Sequence, residues 1–184
     1  VSLSPRPSFS IFTSTGNGFT RADYVITTDT SVEGVTTMAN FGGNAAKDIV
    51  FTYRYQDKKV VYINDGAGNF ARQDLSNRFI QYNGMRAAIA DFDGDSKSDI
   101  AVWRPGAPEV AAFYIFQSSD STLRTDVFGQ SGDDPSVVGD YTGDGKADPA
   151  VYRGGAASGD QSFWFYRASS GANSGNIVYT PWGS

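Results

Sequence analysis

The chain contains no cysteine and no histidine. That inventory removes disulfides, thiolate or imidazole metal sites and every histidine-dependent catalytic triad, so any metal must be held by oxygen. Glutamate occurs only at Glu33 and Glu109, whereas aspartate, glycine, threonine and tyrosine are plentiful. The bias favours strands and turns over helices. No apolar run reaches about 18 residues, so no membrane-spanning helix is expected. Basic clusters are missing too, and the net charge of −5 argues against a nucleic-acid partner. The first residues, Val1 to Pro5, carry neither an initiator methionine nor a signal-type leader, as expected if a signal peptide or larger upstream region has been removed, and equally if the sequence is a trimmed piece.

What is present suffices to fold: 184 residues, of which 40 % are apolar and 14 % aromatic, can bury a globular core. The most informative feature is self-similarity. ADFDGDSKSDIAV at 90–102 returns as GDYTGDGKADPAV at 139–151, and a looser copy, ANFGGNAAKDIV, stands at 39–50. In the same way SIFTSTGNGFTR at 10–21 matches VYINDGAGNFAR at 61–72, superposing Phe19 on Phe70 and Arg21 on Arg72. The start of the chain therefore reads as the second half of a repeat. At the other end Trp182-Gly183 resembles Phe128-Gly129.

Period-2 alternation between Gly, Asp, Asn and Ser clusters gives four short strands per repeat. In the last repeat they fall at about 136–140, 148–153, 162–167 and 176–182. The expected organisation is a half unit at 1–34 followed by whole units at 35–84, 85–135 and 136–184. Four strands in about 50 residues is the size of a propeller blade, so the fold class expected is all-β, with about three and a half blade-like repeats of four antiparallel strands. A plain β-sandwich is the alternative.

The repeated segment carries the chemistry. In Asp91-Phe92-Asp93-Gly94-Asp95-Ser96-Lys97-Ser98-Asp99, oxygen-bearing side chains occupy positions 1, 3, 5 and 9. Alternate residues of a tight loop can converge on one point, and carboxylates so crowded repel one another unless a hard divalent cation sits among them. The main-chain carbonyl of Lys97 adds a candidate ligand, with its ammonium expected in solvent. The second loop offers Asp140, Thr142, Asp144, the carbonyl of Lys146, and Asp148. With one carboxylate fewer it should bind more weakly. The third, Asn40, Gly42, Asn44 and Asp48, should be last. Asx-turns closed by backbone N–H groups are the metal-free alternative for all three.

DFDGDSKSD and DYTGDGKAD resemble the calcium loops of FG-GAP and VCBS repeats, the blade units of integrin-type propellers, and INDGAGNF at 63–70 resembles the hairpin that follows such loops. The resemblance implies bound Ca2+ and a secreted or cell-surface protein. It also implies a role in binding or adhesion through other extracellular proteins; self-assembly with other copies, filaments included, is the expectation that follows from the count of about three and a half units. Two calcium ions would take the formal charge from −5 to about −1. The runner-up is a carbohydrate-binding, lectin-like module associated with a secreted hydrolase.

Trp103, Tyr114, Phe116, Tyr152, Phe163, Trp164, Phe165 and Tyr166 lie on expected strands, where core packing between units is the plain reading. Outward-facing members, with Trp182 at the edge, are candidates for stacking on sugars or docking protein. No enzyme is expected: Asp133 and Asp134 could in principle act as acids, but they sit in a Gly-Asp-Asp-Pro turn where aspartate is ordinary. An arc of three and a half units would leave an exposed face at each end and an unpaired strand edge, surfaces that need covering.

Overall fold

A computed structural model describes residues 8–14, 16–25, 34–53, 59–75 and 86–183. The parts of the expected units at 1–7, 26–33, 54–58 and 76–85 lie outside the described residues. Within the described residues the protein is all-β, with one single-turn 3₁₀ helix at Pro135–Val137 and no α-helix.

Among the described residues the strands form four antiparallel sheets, each built from strands consecutive in sequence. The first is a hairpin of β1 (Ser8–Ser14) and β2 (Phe19–Val25). In the second, β3 (Gly34–Ala39), β4 (Asp48–Tyr53), β5 (Lys59–Asn64) and β6 (Phe70–Asp74) lie in chain order. The third repeats that meander with β7 (Arg86–Ala90), β8 (Asp99–Arg104), β9 (Ala112–Phe116) and β10 (Leu123–Val127). The fourth has β11 (Ala150–Arg153), β12 (Ser162–Arg167) and β13 (Ile177–Trp182).

The strand expected at 136–140 is present only as two isolated bridges, Asp134 to Tyr152 and Gly139 to Asp148. Between them the Asp134 carboxylate accepts the Ser136 N–H and Pro135 opens the 3₁₀ turn. Proline has no N–H to give a ladder, and its fixed φ suits the start of a helical turn.

Burial shows how the sheets are arranged. The central strands read as near-continuous apolar runs, DIVFTY and DIAVWR, as strands covered on both faces do. From β4 and β5, Val50 and Val61 meet Ile100, Val102 and Phe116 of the third sheet. The alternate residues Phe51, Val60 and Tyr62 meet Tyr24 of the first hairpin. From β8 and β9, Ala101, Trp103, Phe113 and Ile115 meet Val151 and Phe165 of the fourth. Each apolar cluster thus bridges two sheets adjacent in sequence, and the sheets stack in chain order. Neighbouring sheets also come near one another along β3 beside β7 and β7 beside the 3₁₀ turn.

Candidate metal centre

A nine-residue segment recurs in the last three sheets: 40–48 runs from the end of β3 to the first residue of β4, 91–99 from the end of β7 to the first residue of β8, and 140–148 leads from the 3₁₀ turn toward β11. In each, the residue before position 1 pairs with position 9, Ala39 with Asp48 and Ala90 with Asp99 within ladders, and Gly139 with Asp148 as an isolated bridge. Glycine at loop position 4 has positive φ in all three, +78° at Gly43, +85° at Gly94 and +73° at Gly143. That conformation strains any residue with a Cβ.

Three positions do the same backbone work in every copy. Position 1 closes the first turn: Asn40 accepts from Gly43 N–H, Asp91 from Gly94 and Ser96, and Asp140 from Gly143, Asp144 and Gly145. Position 5 accepts the N–H two residues on, Ala46 to Asn44, Lys97 to Asp95 and Lys146 to Asp144. At position 9 a fully buried aspartate ties the loop to the hairpin beyond. Asp48 accepts from Phe41, Gly42 and Asn64, Asp99 from Phe92 and Ser118, and Asp148 from Tyr141, Thr142 and Ser169.

Position 3 is where the copies differ. In the 91–99 loop it is Asp93, and oxygens of Asp91, Asp93 and Asp99 lie within 4.8 Å of one another. Oxygens bound to one Ca2+ at about 2.3–2.6 Å are at most about 5 Å apart, so the spacing fits a shared hard cation. Burial pushes the Asp99 carboxyl above its ordinary range, and the charge of Asp93 adds to the rise. Burial acts upward on Asp93 as well, but hydrogen bonds from Ser119, the Asp95 N–H and Gln117 outweigh it and bring Asp93 below the ordinary value. A cation at this point would stabilise both charges. Asp95 stands outside the trio, with Lys97 Nζ 3.5 Å away.

The other loops lack that convergence among the described residues. In the last, Thr142 bonds Ser169 through its hydroxyl, and Ser169 also donates to Asp144. Backbone and side-chain hydrogen bonds hold Asp144 below the ordinary carboxylate range, the Lys146 N–H first. In the 40–48 loop glycine supplies no ligand at position 3, and a Cβ on Gly42 would lie 2.9 Å from the Ile63 side chain, which would have to shift.

The lysines have a role that their sequence position did not suggest. The Lys97 stem lies across Gly43 of the preceding loop, where a Cβ would come within 2.5 Å of it, and Lys146 lies likewise across Gly94. Beside each, the position 8 N–H bonds the position 1 carbonyl of the preceding loop, Ser98 to Asn40 at 2.5 Å and Ala147 to Asp91 at 2.6 Å. Asn40 also donates its amide to Ser96. The loops therefore stack on one another as the sheets do. Sequence reasoning also passed over Gln117 and Ser119; a polar turn directly after β9 was the available signal. Asp133 is fixed by Arg153, with bonds of 2.7 and 2.9 Å, and Asp134 by the cap it forms.

Comparison of the chain with family models, curated proteins and solved structures returned no match. The functional reading therefore rests on the residues and their geometry.

Proposed function

We propose that this chain is a calcium-stabilised blade-repeat module of the FG-GAP/VCBS type, acting outside the cell in binding, adhesion or self-assembly rather than in catalysis. The observation that carries the reading is the convergence of Asp91, Asp93 and Asp99 within 4.8 Å, in a loop that recurs at the same place in successive stacked sheets. Chain-order stacking of antiparallel meanders, two of them four-stranded and set with β3 beside β7, supports a radial blade arrangement. Asp91, Asp93 and Asp99 would hold the ion, whose charge would pin the loop between two strands. The commitment of Asp133 to Arg153 and of Asp134 to its cap supports a non-catalytic reading.

Calcium titration of the thermal midpoint tests this. A ligand at 100 times its Kd stabilises by about 2.7 kcal/mol, roughly 5–11 °C for a chain of this size. Asp93→Asn should remove most of the shift, and Thr142→Ala little of it. An unchanged midpoint in chelator, with no metal retained in native mass spectrometry, would refute the proposal.

A further inference from the structure

The last sheet carries on its outer face the same surface that the third sheet buries. By loop position and strand register, Tyr141 corresponds to Phe92, Tyr152 to Trp103, Trp164 to Phe113, Tyr166 to Ile115 and Trp182 to Phe128. The five residues of the third sheet are all at most 3 % exposed, under the fourth sheet. Their counterparts form a connected aromatic surface. Tyr141 stacks on Tyr166 with ring centres 4.9 Å apart, and Trp164 touches Tyr141, Tyr152 and Trp182. Yet Trp182 is 61 % exposed. The loop edge repeats the pattern: Gly143 has nothing within 4 Å where Gly43 and Gly94 each carry a lysine stem. Among the described residues no N–H meets the Asp140 carbonyl, although Asn40 and Asp91 each receive one. This end of the stack is a receiving face without its next layer.

The opposite end of the stack offers a match. On the first hairpin Tyr24 faces the second sheet, so register places Phe12, Phe19, Arg21 and Asp23 on the other side. Phe12 is 62 % and Phe19 73 % exposed, and Arg21 lies over the Phe12 ring. Two apolar rings and a cation suit an aromatic floor edged by Asp140 and Asp144.

We propose that the outer face of the last sheet receives the N-terminal hairpin of a second copy of this chain, extending the internal stack head to tail. The proposal deepens the self-assembly part of the reading above and rests on it. Such a contact is heterologous, so it propagates into a ring or a filament.

The test is sedimentation of the whole chain in calcium, from about 1 to 100 μM, with two variants at exposed positions, Trp182→Glu and the double variant Phe12→Glu/Phe19→Glu. Wild type should grow beyond a dimer with concentration. Each variant alone should stay monomeric, and an equimolar mixture should give a 1:1 dimer, because each retains one competent end. Circular dichroism of each variant should match wild type; if one does not, Tyr141→Glu or Arg21→Glu takes its place. Two outcomes overturn the proposal: a hairpin variant that self-associates like wild type, or a monomeric wild type, in which case Trp182-dependent glycan binding would identify the last face as a sugar platform instead. The calcium shift of the thermal midpoint is read on the same samples. A monomer that still responds to calcium refutes the docking alone, and an assembling chain indifferent to calcium refutes the metal alone.

Discussion

Asp48 separates the two roles that an aspartate can have at the end of these loops. It is fully buried and accepts three backbone N–H groups, from Phe41 at 2.6 Å, Gly42 at 2.6 Å and Asn64 at 2.7 Å. Its loop has no other carboxylate, so metal binding contributes little to its effect. Asp48→Ala leaves three donors without an acceptor, each costing about 1–3 kcal/mol if it stays dry. Gly42 is exposed and its N–H is recovered by water, whereas the Phe41 bond is buried. Two unsatisfied donors near the middle of the range give about 4 kcal/mol, or roughly 8–16 °C in the thermal midpoint. Asp48→Asn keeps one acceptor oxygen and turns an amide N–H toward a donor, for about half that loss. Chemical denaturation with and without calcium is the assay. The Asp48→Ala loss should be equal in calcium and in chelator, whereas the loss from Asp99→Ala should be larger in calcium. A loss at Asp48 below about 1 kcal/mol, or one that disappears in chelator, would refute the anchoring argument.

Three further outcomes are expected. Arg153→Met should cost about 3 kcal/mol by denaturant unfolding, because Asp133, with its side chain 1 % exposed, loses a bidentate partner; Arg153→Lys should recover part of it. Gly94→Ala should be more destabilising than Gly143→Ala in the same assay. Both pay for positive φ, but only the first drives a Cβ to 2.8 Å from Lys146. In the turn between β5 and β6, the Asn69 amide and the N–H groups of Ala67 and Asn69 hold Asp65 below the ordinary 3.8. Its folded-state pKa is depressed, so its contribution is present above 3.8 and lost as pH falls through the lower value. Asp65→Ala should therefore flatten the acid limb of a stability-against-pH curve.

The strand plan was legible because hydrophobic period and turn residues agree in each repeat, and because loops of equal length hold the register between copies. In the last sheet, β12 and β13 lie where alternation puts them. The 136–140 strand was misread for a local reason: Pro135 and the Asp134 cap turn an apolar stretch out of the ladder. Position 3 was legible as well, since Asp93, Thr142 and Gly42 differ openly in ligand chemistry. The lysines were not. A lysine in an acidic loop suggests a solvated ammonium, and its packing on a glycine some 54 positions earlier leaves no local signature. The closing aspartate was half legible. As the last acid of an acidic loop it reads as a ligand, and Asp99 does stand with Asp91 and Asp93. Yet Asp48 occupies the same place in the copy that has no other carboxylate, and it accepts the position 2 N–H and an N–H of the hairpin beyond, as Asp99 and Asp148 do. An acid that persists where its companions are gone is held by the fold itself, and any ion is added to an anchor already made.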